Sequence, residues 1–141
     1  MTPQLIPFTA SQEALLIKLL TEYFLELEPS KIATTNGIPV LDYPYLSSYW
    51  TDHSRVAYGI YTGSTLVGFA LVNDYVIDKT FRADLAIAEF YIRPPFRKQG
   101  LGRMSAHQIF SRFPGKWEVK QDAVNVAATS FWRSTIGTFT K

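Results

Sequence analysis

The stretch with the most chemical promise in this 141-residue chain is Glu89-Phe-Tyr-Ile-Arg-Pro-Pro-Phe-Arg97-Lys98-Gln99-Gly100-Leu101-Gly102-Arg103. Its apolar start reads as a strand that Pro94-Pro95 ends. Gly100 then opens a helical pattern that runs to Phe113 and is closed by Pro114-Gly115. A helix beginning there turns unpaired N–H groups and the positive end of its dipole toward the loop. Gly100 and Gly102 allow close approach of a ligand to backbone, and Arg97, Lys98 and Arg103 add positive charge, so the segment predicts an anion site suited to phosphate. The bland alternative is a solvated basic turn. Two common nucleotide loops do not fit: there is no GxxxxGK[ST], and no GxGxxG followed about 20 residues later by an acidic side chain.

The elements that must position this loop can be read from spacing. Gln4 to Phe8 reads as an edge strand, since Pro3 and Pro7 remove ladder donors. Thr9 with Gln12 fits a capping box, and Ala14, Leu15, Leu19, Leu20, Tyr23, Phe24 and Leu27 predict a helix that Pro29 stops. Residues Ser30 to Asp52 read as a loop followed by a short helical turn after Pro44, with Tyr43, Tyr45, Tyr49 and Trp50 available to shape a pocket. Arg55–Tyr61 and Thr65–Val72 predict a hairpin across Thr62-Gly63-Ser64, and Asn73–Lys79 either extends it or makes the next turn. Phe81 to Ile92 reads as a strand with Leu85, Ile87, Phe90 and Ile92 apolar and Glu89 set among them. Trp117–Val119 reads as a short strand, Ala127–Thr135 as a short helix, and Ile136–Phe139 as the start of a last strand. The order predicts one mixed α/β domain over residues 1–141.

Composition narrows the function classes. With 47% hydrophobic and 18% charged residues the chain is of ordinary globular type, and with no cysteine it has no disulfide, thiolate metal site or cysteine nucleophile. Fourteen Lys and Arg against twelve Asp and Glu give +2, too small a surplus to suggest nucleic acid as a partner. No apolar run approaches the roughly 20 residues needed to span a bilayer, and MTPQLIPFTA lacks the features of a signal peptide, so the expected location is the cytoplasm. His53 and His107 have no partners at metal-ligand spacing, and no metal is expected.

After a strand, Arg97-x-x-Gly100-x-Gly102 resembles the acyl-CoA pyrophosphate loop of the GNAT superfamily of N-acetyltransferases. Downstream, Asn125-x-x-Ala128-x-x-Phe131-Trp132 resembles the family's segment after its fifth strand, where an Asn and a helical turn line the pantetheine arm. Pro44-Tyr45-Leu46, Gly68-Phe69-Ala70-Leu71-Val72, Ala88-Glu89-Phe90, Trp117-Glu118-Val119 and Phe131-Trp132-Arg133 are together similar to a group of predicted acetyltransferases. The resemblance runs from the first helix through Trp132. It implies a mixed, mostly antiparallel sheet flanked by helices. The chain stops at Lys141, short of the family's last strand: either the sequence is cut there, or the sheet edge is left open for a partner chain to cover, as in a homodimer.

The activity so implied is transfer of the acetyl group of acetyl-CoA to a primary amine of a small molecule or peptide, by direct attack. The family splays its fourth strand from its fifth, so backbone near Phe90, Tyr91 and Ile92 would pair with the pantetheine arm like an added strand. Backbone N–H groups there would stabilise the developing oxyanion, an effect worth about 3 kcal/mol per donor. Arg97, Lys98, Gln99, Gly100, Leu101, Gly102 and Arg103 would hold the pyrophosphate, and Asn125 and Ala128 the arm. Glu89 is the candidate general base, with a strand carboxylate bonded to neighbouring backbone as the alternative. Trp132 stands where many members carry a Tyr that protonates the coenzyme thiolate; an indole N–H can solvate sulfur but gives up no proton near neutral pH. Glu22 and Glu26, four apart on the first helix, either draw a cationic amine or form a solvated face balanced by Lys18, and Tyr45 and Tyr49 are candidates for the acceptor pocket. The alternative function is a coenzyme-binding module with weak or no catalysis.

Overall fold

A computed structural model describes residues 2–74, 84–119 and 126–140. The chain runs through β1 (Gln4–Pro7), α1 (Glu13–Leu27), β2 (Ile32–Thr35), β3 (Ile38–Leu41), α2 (Ser48–Thr51), β4 (Val56–Thr62), β5 (Thr65–Asn73), β6 (Leu85–Ile92), α3 (Leu101–Arg112), β7 (Trp117–Val119) and α4 (Val126–Phe139). The expected Thr9–Gln12 contact forms, with the Thr9 N–H donating to Gln12 Oε1 at 3.0 Å, and a single 3-10 turn leads into α1. Among the described residues no helix is long and apolar enough to cross a membrane.

Two stretches depart from the sequence reading. Residues expected as a loop from Ser30 contain the β2–β3 hairpin, whose two-residue turn is Asn36-Gly37 with φ of +52° and +77°. Asn-Gly between β-branched residues favours that turn, because both residues tolerate the left-handed region. The strand expected at Ile136–Phe139 is instead the last turn of α4. Continuing the helix keeps Phe139 one turn beyond Thr135. Its ring then packs at 5.2 Å from both His107 and Phe110 of α3, while His107 Nε2 lies 2.9 Å from the Thr135 carbonyl oxygen. The strand expected from Phe81 begins, among the described residues, at Leu85, and the expected continuation past Asp74 lies outside them.

The main sheet has the order β1-β4-β5-β6-β7, antiparallel from β1 to β6, with β7 parallel to β6 and α3 as the crossover. Each face carries its own core. Leu16, Leu19, Leu20 and Phe24 of α1 pack with Phe69, Leu71 and Tyr91 on one side, whereas Ile109 and Phe110 of α3 and Trp132 of α4 pack with Ile60, Val72 and Ile87 on the other. Along β6 the alternation slips once. Leu71 stands opposite Glu89 and Val72 opposite Ile87, which leaves Ala88 as an extra residue. A bulge of this kind turns two successive side chains to one face. Ile87 therefore faces α3, Ala88 and Glu89 both face α1, and Phe90 returns to the α3 and α4 face.

Candidate active site

Among the described residues, strand β6 pairs with β7 from Leu85 to Ile87. Beyond that point β6 keeps its antiparallel partner β5, and its other edge lines a cleft of about 640 Å³. Tyr91 stands opposite Phe69, and the Arg93 N–H donates to the Val67 carbonyl at 2.8 Å. Alternation along an antiparallel ladder then turns the Ile92 N–H and C=O away from β5. Phe90, Tyr91 and Ile92 line the cleft together with Ala128, Ser130, Phe131, Trp132, Ser134 and Thr135 of α4. Trp132, 5% exposed, packs edge-on against Phe90 at 5.1 Å and Phe131 at 4.9 Å, so this wall is aromatic.

Gly100, Leu101, Gly102 and Arg103 bring the start of α3 to the same cleft. Lys98 at φ +62° and Gly100 at φ +80° are both left-handed; for lysine that conformation costs about 1 kcal/mol, so the loop is held by its surroundings. The first helical bond joins the Met104 N–H to the Gly100 carbonyl, which leaves the N–H groups of Leu101, Gly102 and Arg103 without helical acceptors. With Lys98 and Arg103 beside them, these donors fit an anion. Gly102 has a packing role as well: a Cβ there would lie 3.1 Å from the Phe131 ring and 3.4 Å from Ile92.

Glu89 lies on the α1 face of β6. Its Oε1 accepts from the Tyr23 hydroxyl at 3.2 Å and its Oε2 from the Tyr43 hydroxyl at 2.8 Å. Burial first, then the Glu89 charge, pushes both phenols far above their ordinary range, so both remain proton donors. Tyr23, one residue from Glu22 on α1, and Tyr43, after the β2–β3 hairpin, carry no motif that would single them out.

Glu22 and Glu26 are engaged by arginines, a pairing absent from both sequence readings, attraction of a cationic amine and a solvated face balanced by Lys18. Glu22 takes Nε and Nη2 of Arg93 at 3.1 and 3.2 Å and the Tyr91 hydroxyl at 3.0 Å. Glu26, which lines the cleft, pairs with Arg97 at 2.9 Å. Burial and the bond to Glu22 push the Tyr91 phenol up. Tyr45 is 75% exposed and stands away from the cleft, while buried Tyr49 accepts a bond from Asn73 at 3.0 Å, and burial pushes its phenol up. Gln99 is exposed at the loop, and Asn125 lies outside the described residues. The structure thus gathers Phe90 to Ile92, Arg97, Lys98, Gly100 to Arg103, Ala128 and Trp132 about one cleft. Phe96, Phe131 and the α4 hydroxyls also line it. Phe131 was visible as the first of an aromatic pair, whereas Ser130 and Ser134 become recognisable only through their i, i+4 spacing once α4 is known.

The sequence model of the Acetyltransferase (GNAT) family matches residues 16–137. The chain therefore belongs to that family and is a GNAT acetyltransferase by sequence and fold. Among solved structures it is similar to an acetyltransferase from Thermus thermophilus, with a TM-score of 0.67 at 22% identity, covering 95% of this chain and 85% of that one. It is also similar to the ribosomal-protein-alanine N-acetyltransferase of Brucella melitensis biovar Abortus 2308, with a TM-score of 0.62 at 18% identity over 95% and 90% of the two chains. A third is AAC(6')-Iy, seen with the bisubstrate analogue CoA-S-monomethyl-acetylneamine, with a TM-score of 0.67 at 9% identity over 96% and 90%. At these identities the likeness is one of fold. Comparison with curated proteins returned no match.

Proposed function

We propose that the chain transfers the acetyl group of acetyl-CoA to a primary amine of a small molecule or a peptide. The observation that carries this reading is the union, in one cleft, of the β6 edge at Phe90–Ile92 with the cationic start of α3. An extended amide arm fits the first, as an added strand, and a pyrophosphate fits the second. Lys98, Arg103 and the N–H groups of Leu101 to Arg103 take the phosphates; Gln99 borders them, and Ala128 lies along the arm, where the family resemblance alone would add Asn125. Acetyl-CoA supplies an activated acyl group as its thioester. Backbone N–H groups of the strand edge donate to the carbonyl oxygen as it gains negative charge. Glu89, reached from the α1 face, accepts the proton of the attacking amine, directly or through water. Glu22 and Glu26 border the acceptor's side of β6.

Trp132 favours one second reading, a module that binds the coenzyme without turnover, because an indole provides no proton for the leaving thiolate. Calorimetric titration with acetyl-CoA, CoA and dephospho-CoA, followed by an amine screen for released thiol, separates the two. Micromolar binding with thiol release supports the enzyme, and binding without release from any amine supports the module. Absence of binding removes both. A homodimer is the proposed assembly, and light scattering that finds only 16.0 kDa particles would sink it.

A further inference from the structure

Glu22 and Glu26 stand one turn apart on α1, and Arg93 and Arg97 stand four residues apart across the end of β6 and the turn after it. Each carboxylate grips one guanidinium at two points. Glu22 accepts from Arg93 Nε and Nη2, while Glu26 accepts from Arg97 Nη2 and lies 2.9 Å from its Nη1. Tyr91 ties the pairs together: its hydroxyl donates to Glu22, and its ring centre lies 5.5 Å from Arg97 Cζ. The remaining edge of Arg97, Nε, donates to the Ile92 carbonyl at 2.8 Å. All three nitrogens of the fork thus face groups of the chain itself.

We infer that Arg97 is a positioning residue: clasped by Glu26, it pins the Ile92 carbonyl and with it the end of β6, and it does not give its charge to a bound phosphate. The functional consequence rests on the coenzyme reading, since Ile92 belongs to the edge offered to the pantetheine arm. Phosphate recognition is left to Lys98, Arg103 and the start of α3, none of which takes part in the clasp. A lysine at position 97 would keep the charge but lose the fork that holds Glu26 and the carbonyl at once.

The test compares the unmutated chain with Arg97→Lys and Glu26→Gln in two measurements. The first is amide hydrogen exchange without ligand. Exchange at residues 91–93 is expected to rise about 3- to 10-fold in both variants, the loss of a partly exposed two-point ion pair, while Ile109 in α3 is unchanged. The second is titration with acetyl-CoA and with S-acetylpantetheine, which carries the same arm and thioester without the pyrophosphate or nucleotide. Both ligands are expected to weaken by the same factor in both variants. Unchanged exchange at 91–93 overturns the proposal. So does a loss confined to acetyl-CoA in Arg97→Lys, which makes Arg97 a phosphate ligand, or tighter acetyl-CoA binding in Glu26→Gln, which makes Glu26 a competitor of the phosphates. If the unmutated chain binds neither ligand, the coenzyme reading fails, and the exchange result alone decides the clasp.

Discussion

Tyr23 and Tyr43 direct their hydroxyls at different oxygens of Glu89, so the carboxylate is held from α1 and from the segment after β3 at once. A carboxylate offers about four lone-pair sites, and these two hydroxyls take two of them. Hydrogen bonds to a charged partner are worth about 1.5–3 kcal/mol. Tyr43→Phe is therefore expected to lower kcat about tenfold with coenzyme affinity unchanged. Glu89→Gln is expected to lower it further, and Tyr43→Phe should add nothing in that background; steady-state thiol release together with coenzyme titration checks all three. The same phenols set a limit at high pH. Tyr23 and Tyr43 hold their protons in the folded chain past the pH of about 10 at which unfolded tyrosines release them. Their contribution to stability is full below about pH 10 and is lost as pH rises above it. The part of the phenolate absorbance that belongs to Tyr23 and Tyr43 is expected to appear only together with loss of ellipticity in an alkaline titration, and phenolate forming at all tyrosines before unfolding would contradict these burials.

Among the elements, β5 and β6 leave no room for a side chain at Gly68, where a Cβ would lie 2.0 Å from the Tyr91 carbonyl oxygen. Backbone cannot yield as a side-chain tip can, so Gly68→Ala must push the two strands apart just where β6 begins to line the cleft. A destabilisation of at least about 1–3 kcal/mol is expected, read as a lower urea midpoint, with weaker coenzyme binding alongside it. Glycine serves packing again at Gly102, which lets α3 meet Phe131 and Ile92. A glutamate at that position would disturb the contact with α4 as well as place charge in the phosphate cradle, so Arg103→Glu is the cleaner probe of the cradle. It is expected to weaken acetyl-CoA at least tenfold at low salt, less at high salt, and to leave the melting temperature within about a degree or two.

For the whole molecule, the consequence of a sheet covered on both sides is a division of labour across β6. Phe90 and Ile92 face the coenzyme cleft and the α3 and α4 core, whereas Glu89 and Tyr91 face α1. In the proposed transfer, the amine and the thioester approach this strand from opposite faces. The two cores are separate clusters of contacts, one on each face. Leu16→Ala and Ile109→Ala each remove a fully buried side chain, from opposite faces, and each is expected to cost about 2–5 kcal/mol. Their effects should add within about 0.5 kcal/mol in denaturant unfolding if the faces are independent, and a larger departure would mean that the sheet couples them.

Local chemistry determined most of the elements. The apolar period of α1, the Thr62-Gly63-Ser64 turn and the strand-to-Gly100 transition each depend on neighbours a few residues apart, and the sequence carries those in full. It also carried two signals that a plain period-2 or loop reading passes over: Asn36-Gly37, and the phase break between Ile87 and Phe90 that marks the bulge. The Gly100–Gly102 loop was legible because its geometry resides in backbone conformation and glycine spacing. Which residues face each other was not. Glu22 with Arg93, Glu26 with Arg97, and Glu89 with Tyr23 and Tyr43 are separated by 46 to 71 positions. Only the packing of α1 across the sheet, the slip at Ala88 and the hairpin that delivers Tyr43 decide those pairings, because long-range contact depends on register and burial, which no local spacing encodes.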